Sequence, residues 1–84
     1  MKTSFIDFSV IKPDKQEVFE VEWVDVQTPV GSFVIGLNHL PFITSLKKKG
    51  KLSFKLKNGK IEKIDIYGGF FQIEDNKAIA ILEL

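Results

Sequence analysis

Cysteine and arginine are both absent from this sequence, and it has a single histidine, His39, and a single tryptophan, Trp23. Without cysteine there are no disulfides, thiolate zinc sites, iron–sulfur clusters or cysteine nucleophiles, so any core must hold by packing alone. Without arginine the planar guanidinium fork that reads guanine edges and phosphates bidentately is missing, which weakens a nucleic-acid role. No apolar run approaches membrane-spanning length. Met1-Lys2-Thr3-Ser4-Phe5 leads into alternating residues and not into the apolar stretch of a signal peptide. A cytoplasmic protein that reaches a membrane only through partners is expected.

What is present suits one small domain spanning residues 1–84. Hydrophobic residues make up 44% of the chain and charged residues 27%, too apolar for a disordered tail. A domain of this size buries roughly 60% of the surface its unfolded chain exposes, with no room for a second core. Period-two alternation, broken about every eight to twelve residues by turn chemistry, predicts an all-β sandwich or barrel of short strands. Ile6, Phe8 and Val10 share one face of a first strand, and Lys12-Pro13-Asp14-Lys15 turns the chain. Phe19, Val21 and Trp23 alternate next, and then the apolar parity shifts to Val24 and Val26, which predicts a bulge where one strand bends between two sheets.

Thr28-Pro29-Val30-Gly31 and Gly36 to Pro41 read as loops around Phe33 and Ile35. Asn58-Gly59 suits a type I′ hairpin joining Leu52, Phe54 and Leu56 to Ile61, Ile64 and Ile66, and the jump from Ile61 to Ile64 predicts a second bulge near Glu62. Gly68-Gly69 separates that strand from Phe70 to Ile73, Glu74-Asp75-Asn76-Lys77 forms a last hairpin turn, and Ala78 to Leu82 closes the chain. The best helix candidate, Pro41 to Lys49, has β-branched residues in its first turns and a stop at Gly50, so at most a short helical turn is expected.

Catalytic constellations are not visible. None of the five serines lies in a Gly-x-Ser-x-Gly elbow, one imidazole with scattered carboxylates lacks the clustered ligands of zinc or calcium, and Gly68-Gly69 is not followed by Lys-Ser or Lys-Thr. No enzyme activity, cofactor or metal is expected. Charge is uneven: Lys47 to Lys63 carries eight lysines against Glu62 alone, whereas the residues up to Leu46 carry three lysines against six acids. This basic hairpin offers an alternative reading, a small module for nucleic acid or an anionic membrane surface, beside the plainer one of a solvated hairpin. A third reading, an unrelated ligand-binding or catalytic sandwich, requires a pocket of perturbed titratable groups around His39.

The order of motifs resembles the N-terminal β-sandwich of the F-type ATP synthase ε subunit (delta/epsilon chain). Val10-Ile11-Lys12-Pro13-Asp14 followed by Val18-Phe19 resembles the family's opening strand and turn. Gly31-x-Phe33 leading to Asn38-His39-x-Pro41, with Thr44 and Leu46 before Gly50, resembles its central signature. Gly68-Gly69-Phe70, Ile73 and Asn76-x-Ala78-x-Ala80-Ile81-Leu82 resemble its closing segment. Ser32 stands where an acidic residue is common, Val34 where a glycine is, Gly36-Leu37 where Leu-Pro is usual, and Tyr67 replaces a serine.

The resemblance implies about ten short antiparallel strands in a two-sheet sandwich or flattened barrel. It also implies a non-catalytic rotor role, binding the γ subunit and the c-ring on the cytoplasmic side of a bacterial plasma membrane, with no nucleic acid and only indirect membrane contact. The family sheet is usually followed by a regulatory helical pair. If Leu84 ends the whole protein, the functions of that pair are expected to be lacking. Gly31, Ser32, Leu37, Asn38, His39, Leu40 and Pro41 fall in the loop that faces the c-ring in the family. Strand parity adds Trp23, Phe42 and Phe71 as candidate outward anchors beside Leu37 and Leu40, with core packing the competing reading for each.

Overall fold

Alternation becomes strand along most of the chain in the computed structural model, which describes residues 4–83. The N-terminal reading rests partly on residues 1–3, which lie outside the described residues. The strands are β1 (Ile6–Ile11), β2 (Gln16–Thr28), β3 (Gly31–Ile35), β4 (Phe42–Ser45), β5 (Gly50–Leu56), β6 (Ile61–Ile66), β7 (Gly69–Glu74) and β8 (Lys77–Leu82). The described residues hold eight strands where the resemblance implied ten. Their order is β4-β7-β8-β1-β2-β5-β6, with β3 on β2, so the path is open and does not close into a barrel. It is also mixed, because β1 and β8 pair in parallel. The segment considered for a helical turn forms β4, where Ile43 and Thr44 suit a strand and pair with Gln72 and Phe71.

β2 explains the layering. Its first half pairs with β1 through Val21, and its second half pairs with β3 from Val24 to Thr28. Both halves meet β5 near Val21 to Asp25, with a register shift between Val21 and Trp23. This is the bulge that the parity change predicts, and it lets one strand serve both layers. The first layer is β4-β7-β8-β1 and the start of β2; the second is β3, the end of β2, β5 and β6.

Between them lies one core. Phe8 from the first layer meets Phe54 from the second edge-on, with ring centroids 5.2 Å apart, and Phe71 lies 6.3 Å from Phe8. Room for these rings comes from small partners: Phe8 pairs with Ala78 and Phe71 with Ala80. All four are buried. Gly69 at φ 125° lies so close to the next strand that a Cβ would overlap the Ile81 carbonyl, so only glycine fits there.

Two hairpin expectations are corrected. At Lys57-Asn58-Gly59 only Gly59 has a positive φ, 92°. The Gly59 N–H donates to the Leu56 carbonyl at 2.8 Å, and the Leu56 N–H donates to the Lys60 carbonyl at 2.8 Å. This is a three-residue loop ending in a glycine bulge, not a type I′ turn. Asn58 contributes its side chain instead, accepting the Lys60 N–H at 2.9 Å. The positive-φ pair sits at Asp75 (51°) and Asn76 (59°), in the two-residue hairpin between Glu74 and Lys77. No bulge occurs near Glu62, because β6 pairs with β5 without a break and Ile61 faces solvent.

Candidate partner interface

The loop from Gly36 to Pro41 is held by an amide clasp. The Asn38 N–H donates to Asn76 Oδ1 at 2.6 Å, and Asn76 Nδ2 donates to Asn38 Oδ1 at 3.1 Å. Asn38 needs the left-handed conformation (φ 60°) for this, which asparagine tolerates better than most residues. His39 Nδ1 lies 2.7 Å from the Leu40 carbonyl oxygen; because that oxygen only accepts, Nδ1 carries the proton. The imidazole stands 5.9 Å from the Phe42 ring, which stands 5.4 Å from Phe33. A row of three rings thus ties β3, the loop and β4 together.

Around that row, apolar side chains face outward: Leu40 is 78% exposed, and Val34 and Leu37 are exposed as well. β3 carries no charged residue, and its edge away from β2 has no ladder partner among the described residues. Of the candidate residues, Gly31, Ser32, Leu37, Asn38, His39, Leu40, Pro41 and Phe42 therefore gather along β3, the loop and the start of β4. Trp23, half-exposed, lies on the outer face of the second layer; by register it shares that face with Ser32 and Val34. On the same face Asp25 Oδ1 is buried without a hydrogen-bond partner.

Phe71 is corrected. It is fully buried in the core, and its neighbour Phe70 points outward, 54% exposed. Phe70 belongs to a surface that sequence reasoning missed. Ile43, Phe70, Ile79 and Ile81 line a shallow apolar depression on the outer face of β4, β7 and β8. Gln72 is the one polar side chain among them, paired across the ladder with Ile43 and Ile79. The available signal was the pairing of large rings with small residues, which turns Ala78 and Ala80 inward and leaves Ile79 and Ile81 outside.

No group of three or more histidine, cysteine, aspartate or glutamate side chains capable of holding a metal exists among the described residues. The molecule is an open two-layer β-sandwich with two distinct apolar surfaces, an architecture suited to holding partners. Residues 6–83 match the family described as the ATP synthase delta/epsilon chain, β-sandwich domain, and the chain belongs to that family.

Its relatives include the ATP synthase epsilon chain of Anaeromyxobacter sp. (strain K), 31% identical over 80 residues and covering 93% of this chain and 58% of that relative. The epsilon chain of Geobacter sulfurreducens is 36% identical over 64 residues, 76% of this chain and 45% of that one. The chain thus spans about half the length of these relatives. It shares its fold with a chain of the Euglena gracilis mitochondrial ATP synthase OSCP/F1/c-ring structure, with a TM-score of 0.88, 19% identity, and 98% of this chain and 52% of that chain covered. A chain of the Tetrahymena thermophila mitochondrial ATP synthase central stalk and c-ring gives 0.80 at 17% identity, covering 100% of this chain and 67% of that one.

Proposed function

We propose that this domain is a non-catalytic rotor part of the central stalk of a bacterial F1Fo ATP synthase, coupling ion translocation to ATP synthesis by holding the γ subunit and the c-ring together. It works on the cytoplasmic face of the plasma membrane, attached by way of the ring. The observation that carries the reading is the presence of two separate apolar surfaces on one stiff body. A coupling element needs two grips and no reactive group, and rigidity between them so that load is not lost in bending. The pinned Asn38–His39–Leu40 loop with the uncharged β3 edge is the grip for the c-ring. The depression of Ile43, Phe70, Ile79 and Ile81 is the grip for γ.

Membership of the delta/epsilon family and the fold shared with central-stalk chains support this reading. The basic hairpin favours the nucleic-acid alternative less than its composition suggested, because four of its lysines are ion-paired within the protein.

Co-purification with separately expressed γ, and with detergent-solubilised c-ring, tests the assignment. Phe70→Ser should release γ and leave the ring bound, and Leu40→Ser should do the reverse. Neither should alter the fold, since both side chains are exposed. Failure to capture either partner at micromolar concentration by a folded wild-type chain would sink the proposal.

A further inference from the structure

The lysines of this protein are not equivalent. Around the β5–β6 hairpin all but Lys63 are balanced: Lys51 lies 2.7 Å from Asp65, Lys55 3.6 Å from Glu22, Lys57 3.9 Å from Glu20 and Lys60 3.3 Å from Glu62. Lys12 and Lys15 share Glu17. Lys47, Lys48 and Lys49, consecutive and exposed, have no ion-pair partner among the described residues.

The loop that carries them is fixed at both ends. The Leu46 N–H donates to the Gly69 carbonyl and the Lys47 N–H to the Gln27 carbonyl, each at 2.9 Å. The Lys51 N–H donates to Gln27 Oε1 at 2.7 Å, and a Cβ on Gly50 would come within 2.6 Å of that same oxygen. Gln27 leads through Thr28 into the Pro29–Val30 turn, which Thr28 Oγ1 braces by accepting the Val30 N–H at 3.2 Å and donating to the Gly31 carbonyl at 2.8 Å. Val30 at its tip is 86% exposed. Tyr67, 56% exposed, follows Ile66, the ladder partner of Gly50. One end of the molecule therefore presents three ammonium groups without ion-pair partners among the described residues, near an aliphatic tip and a phenol ring whose own neighbours include Asp65 and Glu83.

We propose that this end binds anionic phospholipid headgroups directly, a membrane contact beyond the attachment through the ring. Ammonium groups are drawn to the negative surface of a cytoplasmic leaflet, a small aliphatic side chain inserts at the boundary, and tyrosine sits well where one end is apolar and the other wet. A cationic spot three residues long is too short to track a strand of nucleic acid, which single-strand binders follow over about four or more nucleotides. The arrangement of the loop matters as much as its charge, because pinned lysines lose less freedom on binding than lysines on a floppy tail.

Sedimentation of the full chain with vesicles of phosphatidylcholine, with and without phosphatidylglycerol, tests the inference. Binding should require phosphatidylglycerol and weaken as salt rises. Each of Lys47→Gln, Lys48→Gln and Lys49→Gln should weaken it about fivefold, and the triple change about a hundredfold. Val30→Ser should weaken it less, and Lys55→Gln with Lys60→Gln should leave it unchanged. Absence of binding, equal binding to neutral vesicles, wild-type binding by the triple variant, or tighter binding to a single-stranded oligonucleotide at the same salt would each overturn it. Capture of γ by the triple variant should match wild type, so a failure on vesicles and a failure of the rotor reading are told apart.

Discussion

The β3 and β6 edges of this domain are finished in opposite ways. β6 ends the sheet path with Ile61-Glu62-Lys63-Ile64-Asp65-Ile66, a strand that interleaves charge with every apolar residue and ties Asp65 to Lys51. β3 branches from β2 with Gly31-Ser32-Phe33-Val34-Ile35, has no charge at all, and opens onto a loop tipped by Leu40. An unpaired strand edge invites pairing with another chain, and charges are the usual guard against it. Charges guard the β6 edge and none guards β3, the edge that the proposed docking would use.

The strongest way to break this contrast is to guard β3. Val34→Lys places a charge where a partner is expected, and an uncompensated charge caught in an interface costs about 3–5 kcal/mol. Capture of the c-ring should fall at least about a hundredfold, while the thermal midpoint stays within a few degrees because Val34 is exposed. The converse change strips the guard from β6: Lys63→Val with Asp65→Val should make the chain self-associate more tightly than wild type, at about tens of micromolar, read by analytical ultracentrifugation.

A subtler change sharpens the comparison by loosening the loop without touching its exposed residues. Asn76→Gly keeps the positive φ of the turn but removes both bonds to Asn38. At about 1 kcal/mol per bond, c-ring affinity should drop up to about thirtyfold, with faster hydrogen exchange at the Asn38 amide and little change at β6.

The smallest effect lies at the guarded edge. The hydrogen bond from Lys51 to Asp65, with the carboxylate charge behind it, raises the Lys51 pKa above its ordinary 10.5. A raised amine pKa contributes stability that is complete below the unfolded value and lost as pH rises through the folded one. Wild type and Lys51→Met should therefore keep a constant, small gap in thermal midpoint from about neutral pH to about pH 10 and converge only above that.

Every strand except β4, the turn at Glu74–Lys77 and the bulge in β2 were legible in the sequence, because half-buried strands and positive-φ turns leave residue-level marks; β4, only four residues long, read as a helical turn. Parity was harder wherever both faces of a strand are apolar. Phe70-Phe71 and Ala78-Ile79-Ala80-Ile81 read equally well either way up, and only the ladder, which sets Phe71 against Ala80, decides that the small residues go inside. Ile61 misled for a related reason: it looks like a core residue by type, but its partner Lys55 shows that it faces water. The loop between β3 and β4 could be located from Asn38, His39 and Pro41, whereas the clasp to Asn76 joins residues 38 positions apart and leaves no local trace.

The parallel pairing of β1 with β8 has a mechanical consequence. These strands stand near the two ends of the described chain and are joined by five successive rungs, from Asp7–Lys77 to Ile11–Ile81. Tension applied at the start of β1 and the end of β8 pulls the two strands along each other in opposite directions. All five rungs then resist together in shear, instead of opening singly like a zipper. A tug on an antiparallel hairpin such as β5–β6 across its open end would meet one rung at a time. The domain should thus be strongest along the one axis on which its two ends can be stretched.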